Sequence, residues 1–120
     1  MFRTPSKMTD YLQIDHQSIA YTQAGSPTNP PVLFLHGIMS HRGVWTRTIE
    51  TLQQDFHCIA IDHLGFGDSD KPKDGNYSIA KQAERAKSRR SFWLDKFIVI
   101  GHSMGGQIAT YLASTSLQNG

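Results

Sequence analysis

The ten residues Phe97-Ile98-Val99-Ile100-Gly101-His102-Ser103-Met104-Gly105-Gly106 constrain this 120-residue chain more than any other stretch. Phe97 to Ile100 is an unbroken apolar run rich in β-branched side chains and reads as a short buried strand. Gln107 to Leu117 reads as a helix, which leaves only a tight turn between the two elements. In that turn Ser103 is flanked two residues away on each side by glycine. A strand can run into a helix this abruptly only if the backbone at the turn is strained and its neighbours carry no side chain. Gly101 and Gly105 are placed to allow that close approach. Ser103 would then stand at the carboxyl end of the strand, in front of a helix N-terminus whose N–H groups and dipole favour negative charge.

Strand and helix patterns alternate through the rest of the chain. Tyr11–Ile14 and Ser18–Thr22 alternate apolar and polar residues as half-buried strands do, and read as a hairpin with Asp15 and His16 near its tip. Gly25 to Pro31 is dense in turn formers, and Val32–Leu35 suits a strand covered on both faces. Ser40–Gln54 has a helical pattern with Val44, Trp45, Ile49 and Leu52 as its apolar positions, Trp45 being assigned to the core. Phe56–Ile61 is the next buried strand, followed by a loop from Asp62 to Asn76 and a helix from about Tyr77 into the low nineties. Such alternation predicts an α/β fold: a mostly parallel sheet flanked by helices.

Two further motifs accompany the serine. His36-Gly37, followed by Ile38-Met39-Ser40, closes the strand Val32–Leu35. Asp62-His63-Leu64-Gly65-Phe66-Gly67-Asp68-Ser69 follows the strand before the serine turn. With Gly-His-Ser-Met-Gly-Gly in a strand–turn–helix context, the three occur in an order that resembles the α/β-hydrolase superfamily, in its serine-nucleophile esterase, lipase and perhydrolase-like branches. The resemblance spans Ser18 to Leu112 and identifies the chain as an N-terminal portion of that fold, residues 1–120 forming a partial domain.

The resemblance implies that Ser103 is the catalytic nucleophile and that the backbone N–H groups of Ile38 and Met104 form an oxyanion hole. It gives structural duties to His36, Gly37, Asp62, Gly65, Gly67, Ser69, Gly101, His102, Gly105 and Gly106. His36 is read as pinning its loop rather than moving protons, and Asp62 as bracing a turn. The implied substrate is a small-molecule carboxylic ester or related acyl compound, handled through an acyl-enzyme without cofactor or metal. A cofactor-free perhydrolase or C–C bond hydrolase is the alternative within the fold. An aspartate in place of Ser103 would have pointed to an epoxide hydrolase or haloalkane dehalogenase.

The pattern also departs from the family. The family order is serine, acid, histidine, yet Met104–Gly120 contains no Asp, Glu or His, and all six histidines precede Ser103. A serine without a general base is a weak nucleophile. The expectation is therefore a fragment with little turnover by itself, completed by a complementing C-terminal half, or else a non-catalytic truncated product. The outer edge of the serine strand is expected to be unpaired.

Charge and composition exclude several other classes. Gly65-Phe66-Gly67 lacks the third glycine of a dinucleotide fingerprint, and the serine turn lacks the Lys-Ser/Thr ending of a P-loop. No histidine pair has the spacing of a zinc site. Lys81, Arg85, Lys87, Arg89, Arg90 and Lys96 are read as a solvated helix face rather than a nucleic-acid surface. No apolar run approaches membrane-spanning length, the N-terminus has no signal-like apolar region, and Cys58 is a single cysteine in a buried strand. These features give the expectation of a cytoplasmic protein with neither nucleic-acid nor membrane partners.

One segment resists the pattern. Lys87-Ser88-Arg89-Arg90-Ser91 interrupts the apolar face begun by Ile79, Ala83 and Ala86, and Trp93 occupies the expected helix stop. One codon choice for Ala86–Trp93, shifted by a base, encodes Leu-Asn-Leu-Ala-Asp-Arg-Phe-Gly, an amphipathic helix end. A compensated frameshift and a native basic helix are the two readings, and the actual codons decide between them.

Overall fold

The structure, a computed structural model, describes residues 9–87 and 97–119. Five strands form one sheet: β1 (Asp10–Ile14), β2 (Gln17–Ala24), β3 (Pro31–Leu35), β4 (His57–Ile61) and β5 (Ile98–Gly101). Their spatial order is β1-β2-β4-β3-β5. The β1–β2 and β2–β4 pairs are antiparallel, and β3 lies parallel to both β4 and β5. Three α-helices accompany the sheet: α1 (Thr46–Leu52), α2 (Ile79–Lys87) and α3 (Met104–Asn119). The α/β class read from the alternation is the class observed.

The two-residue period of β3 divides the core into two layers. Leu33 and Leu35 pack on one face with Ile59 and Ile61 of β4, Ala83 and Ala86 of α2, and Ile108 and Leu112 of α3. Val32 and Phe34 pack on the other face with Cys58, Ala60 and Ile49, joined by Trp45 and Leu52. Four consecutive residues of β3 are thus fully covered, which is why this strand has no polar alternation. Trp45 is partly buried and packs against this core, its ring centroid 5.3 Å from that of Phe34. Hairpin β1–β2 turns at Asp15 and His16, both with positive φ (51° and 66°), as a two-residue turn with matching twist requires.

Three expectations are corrected. Ser40–Gln54 is not one helix: a 3-10 turn covers Arg42–Trp45 and α1 begins at Thr46. The His41 ring accepts the Gly43 N–H at 3.0 Å, and the Arg42 N–H is drawn to the Asp62 carboxylate instead of a helical carbonyl. The segment therefore turns off the helix axis, and Val44 is 54% exposed instead of lying on the apolar face. The helix after Ser103 starts at Met104, three residues earlier than its polarity suggested, because Gly105 and Gly106 are helical here. Arg85 is not on a solvated face: it is buried, donating to Gln82 Oε1 at 2.9 Å, while Gln82 donates to Leu64 O at 3.0 Å. Lys81 does lie at the surface, paired with Glu84 and Asp15. The basic run beyond Lys87 and the frameshift question over residues 86–93 fall, apart from Ala86 and Lys87, outside the described residues.

Among the described residues β5 ends the sheet with its outer edge unpaired, and Ile98 is half exposed there. No helix among them is long and apolar enough to cross a membrane, and none of their His, Cys, Asp and Glu side chains cluster as a metal site would need.

Candidate active site

The turn between β5 and α3 carries the expected strain. Ser103 has φ 59°, a left-handed conformation that a residue with a Cβ adopts at a cost. It is held because the helix after it and the strand before it are both fixed: His102 N–H donates to Leu35 O at 3.1 Å, and Gly106 N–H to Ser103 O at 2.8 Å. The glycines show why the sequence allows this. A Cβ on Gly101 would lie 2.2 Å from Gly105 O, and one on Gly105 would lie 2.0 Å from Leu35 O. A Cβ on Gly106 would meet nothing closer than 3.7 Å. Gly101 and Gly105 are therefore required by space, whereas Gly106 is not.

The loop after β3 meets this turn directly. A Cβ on Gly37 would fall 3.1 Å from Ser103 Cβ and 3.2 Å from His102 O. The loop turns at Gly37–Ser40, closed by Ser40 N–H to Gly37 O at 3.2 Å, with Met39 in the left-handed region (φ 62°). Among the described residues neither the Ile38 N–H nor the Met104 N–H has a hydrogen-bond acceptor. A cavity of about 350 Å³ lies here, lined by Gly37, Ile38, Ser40, Val44, Trp45, Thr48, His102 and Ser103. An exposed hydroxyl, two donor groups with nothing to donate to and an adjoining cavity with an apolar wall can hold a substrate on which negative charge develops.

Behind this surface lie two buried polar assemblies. Asp62, fully buried, accepts the Arg42 N–H (2.6 Å) and the Asp68 N–H (2.8 Å) on its carboxylate and pairs with the Arg42 guanidinium. Arg42 also donates to Thr22 Oγ1 at 2.6 Å and Thr9 Oγ1 at 2.7 Å. Ser69 donates to Asp62 O and accepts from Ala20 N–H, and a Cβ on Gly67 would strike the Asp62 carboxylate at 2.2 Å. Gly65, at φ 94°, passes under the Tyr77 ring. Asp62, Gly65, Gly67 and Ser69 thus build one braced loop. Sequence reasoning overlooked Arg42: its partners lie 20 residues or more away along the chain.

The second assembly is His36 against His63. The His36 Nδ1 lies 2.7 Å from Gly37 O, which can only accept, so that nitrogen carries the proton. Its Nε2 accepts the His63 N–H at 3.1 Å. The rings of His36 and His63 sit 4.4 Å apart, and among the described residues both nitrogens of buried His63 lack partners. Burial lowers the affinity of both rings for protons, that of His63 to a pKa of about 3. His36 therefore pins the loop as a neutral ring.

Comparison with known proteins agrees with this architecture. The family model for the alpha/beta hydrolase fold matches residues 30–119. The chain belongs to that family. It is 40% identical over 87 residues to probable lysophospholipase BODYGUARD 4 of Arabidopsis thaliana, covering 69% of this chain and 21% of that protein. It is 32% identical to monoacylglycerol lipase abhd6-B of Xenopus laevis over 87% of this chain and 32% of the relative. A crystal structure of a membrane phospholipase A, a bacterial virulence factor, superimposes with a TM-score of 0.87 and 34% identity, over 93% of this chain and 36% of that one. The alpha/beta hydrolase thus spans between a fifth and two-fifths of the length of these relatives. Epoxide hydrolase 1 of Caenorhabditis elegans also matches, at 32% identity over 86% of this chain. The shared frame therefore extends to the branch that an aspartate at the turn would have indicated; position 103 is serine here.

Proposed function

We propose that this chain supplies the nucleophile and oxyanion-binding part of a serine hydrolase acting on a carboxylic ester or related acyl compound. The observation that carries the reading is Ser103, an exposed serine held at φ 59° between β5 and α3. In this scheme Ser103 Oγ attacks the acyl carbon and its proton passes to a general base. The carbonyl oxygen, now negatively charged, takes the N–H groups of Ile38 and Met104. Those interactions exist only once the tetrahedral adduct forms, so they lower the barrier rather than tighten ground-state binding. The leaving alcohol departs with a proton returned by the base, and water then releases the acid from the acyl-enzyme. The cavity along Ile38, Val44 and Trp45 suits an apolar acyl or alcohol portion. The lipid-cleaving names of the lysophospholipase and lipase relatives support this class.

The base and its orienting acid are assigned to residues outside this chain, because every histidine here precedes Ser103 and no carboxylate follows it. His36, His63 and Asp62 are engaged in structural bonds or buried. Alone, the chain should turn over little. A reducing, cytoplasmic setting is proposed from its single buried cysteine, Cys58.

The test begins with the nucleotide sequence past codon 120. The longest product containing these residues is then treated with a fluorophosphonate ester, and the labelled peptide is identified by mass spectrometry. A downstream acid and histidine, with label on Ser103 that vanishes in Ser103→Ala, is the expected outcome. Label elsewhere, label persisting in the variant, or no downstream acid and histidine in any frame overturns it.

A further inference from the structure

We propose that His36 is an acid-operated latch on the loop Gly37–Ser40, closed when its ring is neutral and released when the ring takes a second proton. The geometry leaves no room for that proton. Nδ1 already carries one, directed at Gly37 O, and Nε2 faces the His63 N–H. A proton on Nε2 would set two N–H groups against each other in a fully buried site, so this bond must break.

With that bond broken the ring must leave its seat to be charged, and its grip on Gly37 O then no longer ties the loop to the turn after β4. Gly37 O is the single carbonyl on which both the His36 ring and the Ser40 N–H converge. Beyond it Ile38 and Met39 project outward, 63% and 88% exposed, and Met39 remains left-handed without side-chain packing to maintain it. The surroundings of the ring oppose its charge. His63 packs against it at a tilt of 54° from the turn after β4, Phe66 meets it edge-on from the braced loop, and His41 repels a proton from the far end of its own loop. His102 stands over Gly37 from the end of β5. The Nδ1–H bond to Gly37 O and, after it, Asp62 favour the charged ring, but the Asp62 carboxylate is engaged by Arg42 and Asp68 and neither offers Nε2 an acceptor while the ring is seated. Burial is the largest influence and keeps the closed ring neutral below the ordinary imidazole range.

The sign follows. An opened ring takes up its proton near the ordinary imidazole value of 6.5, and the closed ring only at lower pH. Opening therefore grows as pH falls below 6.5, by up to about thirtyfold at pH 5. The consequence for catalysis rests on the proposed role of the Ile38 N–H: acid would dismantle that donor while the strands of the sheet stay paired.

The experiment is amide hydrogen exchange by NMR on the full chain between pH 7 and 5, with protection corrected for intrinsic rates. Protection at the His63 and Ser40 amides should fall at least fivefold, through an opening less costly than the unfolding of the whole chain that Leu33 and Phe34 in β3 report. The His36 ring should show a bare Nε2 at pH 7. In His36→Gln, whose side chain can offer an oxygen near the position of Nε2 without titrating, the acid step should disappear. A protonated Nε2 at pH 7, flat protection at both amides, an opening as costly as that of β3, or an unchanged acid step in the variant each overturns the latch. None of these readouts depends on ester chemistry. An unreactive Ser103 with the acid step intact would refute the proposed function and leave the latch standing.

Discussion

Adjacent glycines at the turn should respond to the same substitution with opposite signs. In Gly105→Ala the new Cβ would lie 2.0 Å from Leu35 O, 2.6 Å from Leu35 C and 2.8 Å from His36 O. All three are backbone atoms at the end of β3, so no side chain can swing aside. Relief requires α3 to retreat from the sheet by on the order of 1 Å, loosening Ile108 and Leu112 against Leu33 and Leu35. We expect a loss of about 3 kcal/mol, the upper part of the range for overpacking. In Gly106→Ala the Cβ meets only Gly101 O at 3.7 Å, ordinary contact, and the position is helical. Removing a glycine from a helix there should gain about 0.5 kcal/mol. Urea unfolding followed by far-ultraviolet circular dichroism measures both. With a denaturant slope of about 1.5 kcal/mol/M, the first midpoint falls by about 2 M and the second rises slightly. A Gly105→Ala protein that cannot fold while Gly106→Ala folds normally agrees with the argument. Equal shifts in one direction, or a loss below about 1 kcal/mol at Gly105, would refute it.

Strain at position 103 is separable from its chemistry: Ser103→Gly should be more stable than Ser103→Ala by about 1 kcal/mol, since both lack the hydroxyl but only glycine is at ease at φ 59°. Equal thermal midpoints would argue against strain. Asp62→Asn should cost about 3 kcal/mol, because it leaves the largely buried Arg42 guanidinium without its buried counter-charge; an unchanged melting curve would show that the carboxylate is dispensable. Acid should also weaken the fold as a whole through His63. Its pKa is about 3 when folded and 6.5 in the unfolded chain, so the unfolded state binds the proton and stability declines as pH falls through that window. Between pH 7 and 5 this amounts to about 2 kcal/mol, and the acid loss of stability should shrink by about that amount in His63→Leu when denaturation midpoints are compared at the two pH values.

Local chemistry carried much of this protein in its sequence. Mainly apolar runs at Val32–Leu35, Phe56–Ile61 and Phe97–Ile100 marked β3, β4 and β5; β3 and β4 are covered on both faces, whereas β5 stands at the sheet edge with Ile98 half exposed. Glycines at 101 and 105 announced a close approach of strand and helix, because only a missing Cβ permits it. His36 and Asp62 were readable as structural from the motifs around them. Tertiary structure decided what depends on partners distant along the chain. Arg42 became the link between two loops because Asp62 draws its N–H out of the helix that Ser40–Gln54 otherwise spells, and the same pull exposed Val44. Arg85, one of a run of bases, was drawn inward by Gln82, itself anchored to Leu64 O. The contact of His36 with His63 joins the ends of neighbouring strands 27 residues apart, and no periodicity records it. Periodicity reports which face of one element meets an apolar layer; it holds no information on which polar atom lies opposite once two elements are packed.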